Sequence, residues 1–164
     1  MRKIMLAFGA ALLMCGATCE PQMTPAQQEQ ERRAKLELQS VMDLVNSKQI
    51  PPIEFETDSD IIKPSSYTML NKVAEILKRY GKLKLVVIGH TDDTGPEDWN
   101  VRLSKLRASA VKEYIASQGV WGDSIKVYGY GSSYPAVEGT SRDARARNRR
   151  VEFVITTRDW NSVF

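Results

Sequence analysis

His90-Thr-Asp-Asp-Thr-Gly95, followed by Asn100-Val-Arg-Leu-Ser-Lys-Leu-Arg107-Ala108, is the stretch that decides the fold. It joins the end of an apolar run, Leu83 to Ile88, to a helix predicted over Trp99 to Gln118. Leu103, Leu106, Ala110, Val111 and Tyr114 recur at three- and four-residue steps and share one helix face. Arg107 falls inside that apolar arc, whereas Arg102, Lys105, Lys112 and Glu113 lie on the other side. A guanidinium cannot give up its charge to escape burial, so it needs an anion. The nearest candidate in the pattern is Asp92, just past the carboxyl end of the Leu83–Ile88 strand, the edge where open α/β sheets place their ligands.

Working outward, Ile53 and Phe55 alternate with charged neighbours and predict a short strand. Ser65 or Ser66 starts a helix that runs to Tyr80, with Leu70, Val73, Ala74 and Leu77 on one face and Gly81 as its stop. Leu83–Ile88 is apolar throughout and reads as a strand buried on both faces. Ile125 to Tyr130 is the next strand, Gly131 to Thr140 a loop, and Arg149 to Thr157 the last strand. The order β-α-β-α-β-β predicts a two-layer α/β sandwich with the helices on one face of a mixed sheet.

The chain of 164 residues divides into four parts. Residues 1–18 read as an export signal: a basic tip, Arg2-Lys3, precedes Ile4 to Met14, which is shorter than the ~20 apolar residues that span a bilayer. The only two cysteines, Cys15 and Cys19, close that run, so no disulfide framework is possible elsewhere. Cys19, after the small residues Gly16-Ala17-Thr18, is the candidate for lipid attachment. Cleavage near Ala17 would instead release a soluble periplasmic protein. Residues 19–50 form a connector, with Thr24-Pro25 as a helix start and Leu38, Val41, Met42 and Val45 at helical spacing in its second half. This helix is expected to be solvated early and docked late. Pro51-Pro52 opens the domain proper, residues 51–158, and 159–164 are a tail.

The formal charge of +3 falls to 21 basic against 20 acidic residues once Arg2 and Lys3 are removed. A nearly neutral exported chain has little long-range pull on nucleic acid. The cluster Arg142, Arg145, Arg147, Arg149, Arg150 reads as a solvated loop, except that Arg149 shares the parity of Val151, Phe153 and Ile155 and is expected to face inward.

Asn100 lies two turns before Arg107 and projects to the same side. Asp92, Asn100, Arg107 and Arg149 can therefore converge. An arginine binds a carboxylate with two parallel hydrogen bonds, and an aspartate accepts from an ammonium group. The set suits a zwitterion, or else Asp92 and Arg107 form an internal ion pair that closes helix onto sheet; the pattern leaves both open. His90, Asp92 and Asp93 suggest a metal-dependent hydrolase, but His90 is the only histidine in the chain. No Gly-x-Ser-x-Gly elbow is present, and Gly129-Tyr-Gly131 opens no helix, so it is a turn and not a phosphate loop.

Four pieces in order carry a resemblance: His90-Thr-Asp-Asp-Thr-Gly, Asn100-x-x-Leu103-Ser104-x-x-Arg107-Ala108, Gly129-x-Gly131-x-x-x-Pro135 and Asn148-Arg149-Arg150-Val151. With Phe55-x-x-x-Ser59-x-x-Ile62 as an opening strand and turn, residues 52–157 resemble the OmpA-like peptidoglycan-binding domain. An export signal ending at a cysteine, with no transmembrane helix, resembles the peptidoglycan-associated lipoproteins of that family. The resemblance implies a non-enzymatic protein without cofactor or metal that binds the peptide stem of peptidoglycan non-covalently. It implies that Asp92 and Arg107 hold the amino and carboxylate groups of diaminopimelate. Asn100 and Arg149 match further contact positions, and Thr94 forms part of the pocket wall. Glu56, Asp58 and Asp60 compete for an acidic position near the first strand. A lipid on Cys19 would place the chain on the periplasmic face of the outer membrane, with peptidoglycan and Tol-type envelope proteins as partners.

Overall fold

The computed structural model describes residues 23–157 and 160. Cys15, Cys19 and the export signal lie outside the described residues. Thr24 caps the first helix, α1 (Pro25–Asn46): its side chain accepts from the Gln27 backbone N–H, while the Gln27 side chain accepts from the Thr24 N–H. Next come α2 (Tyr67–Arg79), β1 (Lys84–Gly89), α3 (Glu97–Ser117), β2 (Ile125–Gly129), α4 (Arg142–Asn148) and β3 (Val151–Thr156). No helix among the described residues is long and apolar enough to cross a membrane.

The mixed α/β class holds. The sheet order is β2-β1-β3, with β1 parallel to β2 and antiparallel to β3. The central strand β1 is buried from Leu85 to Gly89, as its unbroken apolar character predicts. One face of the sheet, through Leu85, Val87, Ile125, Val151 and Ile155, shares a core with Ala34, Leu38 and Val41 of α1, Leu70 and Val73 of α2, and Val111 and Ile115 of α3. On the other face the Trp160 ring lies 5.3 Å from Lys84 Nζ and 4.8 Å from Lys126 Nζ, so this residue of the expected tail packs over part of the sheet.

Four sequence expectations need correction. The strand predicted at Ile53 and Phe55 is not in the sheet: Phe55 bridges Ile62 of its own loop, which closes residues 54–63 on themselves. The alternation there reflects a loop with one apolar side. Second, the basic stretch after Thr140 is not all loop, since Arg142–Asn148 is helical, capped by the Ser141 hydroxyl, which accepts from the Ala144 N–H at 3.1 Å. Third, Arg149 does not extend the core-facing row of β3. It follows α4 with φ −73° and ψ 82°, and β3 begins at Val151, so strand parity does not reach it. Fourth, α1 docks earlier than its sequence suggests: Glu31 and Ala34 are buried, not only Leu38 and Val41.

Two glycines set how closely α3 approaches the sheet. A Cβ on Gly89 would stand 2.1 Å from the Ser104 carbonyl oxygen, and one on Gly129 would stand 2.4 Å from the Lys105 backbone nitrogen. The helix backbone rests directly on β1 and β2, which brings the Asn100–Arg107 side of α3 to the carboxyl end of β1.

Candidate functional site

Asp92 leaves β1 at that end and is buried. Its Oδ1 accepts from the Thr94 backbone N–H at 3.0 Å and from the Thr94 hydroxyl. Its Oδ2 accepts from Arg149 Nη1 at 2.6 Å. Burial pushes the Asp92 carboxyl up, but the hydrogen bonds from Thr94 and Arg149 outweigh it and hold the group below its ordinary value. Asp92 is therefore a fixed carboxylate.

Asn100 is buried on the first turns of α3, and its Nδ2 donates to the Thr94 carbonyl at 3.0 Å and the Asp92 carbonyl at 3.4 Å. It fastens the 92–94 loop to the helix and so sets the direction of the Asp92 side chain. Within this loop, Asp93 turns outward to a two-pronged contact with Arg145 of α4, at 2.7 and 3.1 Å.

Arg107 is only 8% exposed. Its Nε donates to the Ser59 carbonyl at 2.9 Å, and its guanidinium lies 5.1 Å from the centre of the Phe55 ring. Among the described residues no carboxylate comes within ion-pair distance of it, and no acceptor takes its two Nη groups. Burial pushes its pKa down, as does Arg149, while the carboxylates of Asp58, Asp92 and Asp60 oppose the shift. The Asp92–Arg107 ion pair that the sequence left open is replaced by Asp92–Arg149, and Arg107 donates to the Ser59 carbonyl instead.

Asp92, Thr94, Asn100, Arg107 and Arg149 all line one cleft of about 1240 Å³. Glu56 and Asp58 line it as well, on the 54–63 loop, and Asp58 holds φ 49°. That loop is pinned by the buried Ser66, whose hydroxyl accepts from the Glu54 N–H at 2.8 Å and donates to the Glu54 carbonyl at 3.2 Å. Ser65 or Ser66 was expected to start α2; the Ser66 side chain makes no cap bond and holds the site's loop instead.

The metal reading finds no support in this arrangement. His90 is buried and neither ring nitrogen makes a hydrogen bond, Nε2 standing 3.7 Å from a Glu152 carboxylate oxygen; burial, with Arg150 nearby, pushes its pKa down against the pull of Glu152, so it is a neutral packed ring at pH 7. Its former companions Asp92 and Asp93 are each tied to an arginine, and the described residues hold no group of three or more potential ligands.

Sequence reasoning missed the roles of Phe55 as the floor under Arg107, Ser59 as its backbone acceptor and Arg145 as the partner of Asp93. The helix carrying Arg145 had a signal: Ser141 followed by Asp143 in the first turn and Arg145 and Arg147 in the last.

Residues 54–149, more than half of the chain, match the model of the OmpA family. The chain belongs to the OmpA family. Its relatives include the peptidoglycan-binding protein ArfA of Mycobacterium tuberculosis, 39% identical over 119 residues, which are 73% of this chain and 36% of ArfA. The probable lipoprotein YiaD of Escherichia coli is 38% identical over 63% of this chain and 48% of its own length. The matched part of the chain thus spans half or less of these two OmpA-family relatives. Among solved structures, the C-terminal domain of Helicobacter pylori MotB is 30% identical with a TM-score of 0.60, over 68% of this chain and 88% of that one. The peptidoglycan-associated lipoprotein of Burkholderia pseudomallei gives 26% identity and a TM-score of 0.60, over 63% and 88%. The OmpA-family match ends at Arg149, so it contains every residue of the cleft's charged site and omits α1.

Proposed function

We propose that this chain binds peptidoglycan without covalent chemistry, gripping the free amino and carboxylate groups of the diamino acid in its peptide stem. The observation that carries the reading is the division of charge in the cleft. Asp92 is a buried, ionised acceptor; Arg107 is a buried guanidinium with two Nη groups unclaimed by described residues. A ligand carboxylate on the Arg107 fork and a ligand ammonium on Asp92 satisfy both, and Asp58 supplies a second negative charge near Arg107. Arg149 keeps Asp92 ionised and oriented; Asn100 and Thr94 hold its loop. The name of ArfA and the kinship with a peptidoglycan-associated lipoprotein support the same reading. The charged site acts as a clamp and performs no hydrolysis.

The purified chain should co-sediment with isolated sacculi, and Asp92→Ala or Arg107→Ala should abolish this while circular dichroism stays unchanged. Sedimentation retained in both folded variants overturns the proposal. Soluble muropeptides released from sacculi, seen by chromatography, would turn it into an enzyme.

The finer reading makes the chain a tether: a diacylglyceryl group on Cys19 holds one end in the outer membrane while the domain holds the wall. Mass spectrometry of the mature protein from a membrane fraction should find that adduct on Cys19. An unmodified terminus near Thr18 would instead mean a soluble periplasmic binder.

A further inference from the structure

Trp99 is 46% exposed, which leaves a large indole surface open to solvent. Of the exposed aromatic side chains among the described residues, Tyr67, Trp99, Trp121 and Tyr134, only Trp99 lines the cleft that holds Asp92 and Arg107. It begins the row Trp99, Leu103, Arg107 along α3, at four-residue steps, and all three side chains line that cleft. Leu103 and Arg107 are buried, so the row runs from the closed charged end to an open rim at Trp99. Beside the rim, Gly95 also lines the cleft at φ +84°, and a Cβ built there would meet nothing within 4 Å. Open space therefore stands over Gly95, in the cleft that Trp99 also lines. The following residue, Asn100, holds the backbone of Asp92 and Thr94, which fixes this rim to the charged site.

We propose that Trp99 is a sugar platform, which stacks on the apolar face of the N-acetylated amino sugar from which the bound peptide hangs. This rests on the peptidoglycan reading above. A pyranose presents a face of C–H groups with slight positive charge, and an indole presents a negative π face of matching size. The eight-residue separation of Trp99 from Arg107 corresponds to ~12 Å along a helix axis. Three extended peptide residues span about 10 Å, the length from the diamino acid to the sugar-bearing end of a stem. Peptide at the charged end and sugar at the rim can thus be engaged together. Trp99 makes no charged contact, so it selects for the sugar without altering the grip on the diamino acid.

The test compares two probes by calorimetry with the full chain. One is the free tripeptide L-Ala-γ-D-Glu-meso-diaminopimelate; the other is the same peptide on N-acetylglucosaminyl-N-acetylmuramic acid. The wild-type chain should bind the sugar-bearing probe about tenfold more tightly than the free peptide. Trp99→Ala should remove that gain and leave free-peptide affinity unchanged, whereas Trp99→Tyr should retain most of it. Equal preference for the sugar in Trp99→Ala and wild type, or no preference in wild type, overturns the platform while leaving the peptide clamp intact. Failure of the wild-type chain to bind either probe overturns the clamp and the platform together.

Discussion

Arg107 and Asp92 solve one electrostatic problem in opposite ways. Asp92 is paired inside the protein, through Arg149 and Thr94. Arg107 has a carbonyl and an aromatic ring in place of a counter-charge, so its desolvation is answered only in part. The pH behaviour of Asp92 follows. Its folded pKa is lowered, so its contribution to stability and to ammonium binding is fully present above the ordinary carboxylate value. That contribution is lost as pH falls through the lowered value. In a carbon-detected NMR titration Asp92 should titrate below a free aspartate, and Arg149→Ala should shift the midpoint upward by removing one of the bonds that depress it. An unchanged midpoint in that variant would mean that Thr94 alone does the holding. Arg107 stood out in the sequence because a charge on an apolar helix face breaks its period, and Asp92 followed as the nearest anion in the pattern, past the carboxyl end of β1. Arg149 was found for a weaker reason, parity in a strand it does not join; its real position depends on where α4 ends, which parity cannot register.

The elements differ in how openly their sequences declare them. The strand β1 and the helices α2 and α3 have long apolar periods and were located to within a few residues. The seven-residue α4 buries only Ala144 and Asn148, so it shows no period and only its capping pattern marks it. The Ile53–Phe55 alternation promised a strand, but strand formation needs a partner, and the partner it finds is Ile62 in its own loop. The packing of the helices on one sheet face was expected, but how closely α3 approaches was invisible, because nothing in a lone sequence says which glycines face a helix backbone. It has a direct consequence. Gly89→Ala and Gly129→Ala each force backbone apart from backbone, and should cost about 1–3 kcal/mol of stability in urea denaturation. Since the displaced segment carries Asn100 and Arg107, the proposed peptidoglycan binding should weaken along with stability. Either variant at wild-type stability would mean that α3 can retreat without loss.

At the scale of the whole molecule, the core reaches beyond the family's matched region. Glu31 of α1 accepts from the Thr157 backbone N–H at 2.9 Å and from its hydroxyl at 2.6 Å, just past the end of β3, and pairs with Lys35 at 2.5 Å. Burial pushes the Glu31 carboxyl up, but Lys35 and Thr157 together hold it below its ordinary value. Arg79 and Tyr80, at the end of α2, grip Glu37 from the other side. Glu31→Ala should cost about 1–3 kcal/mol by leaving the Thr157 groups short of an acceptor. Hydrogen exchange should then speed up in α1 before it does in β1; uniform loss of protection would make α1 inseparable from the rest.

This docking bears on the tether proposed above. In the proposed tether, a chain anchored at Cys19 would enter the domain through the docked helix α1, which starts at Pro25. A pull from that end enters α1 and arrives at Glu31 and Thr157, beside the last strand. The cleft, at the opposite end of β3 near Val151, lies downstream of that junction. In the tether proposed above, the Glu31–Thr157 contact therefore lies in the load path ahead of the cleft, and its rupture would free α1 before force reaches the charged site.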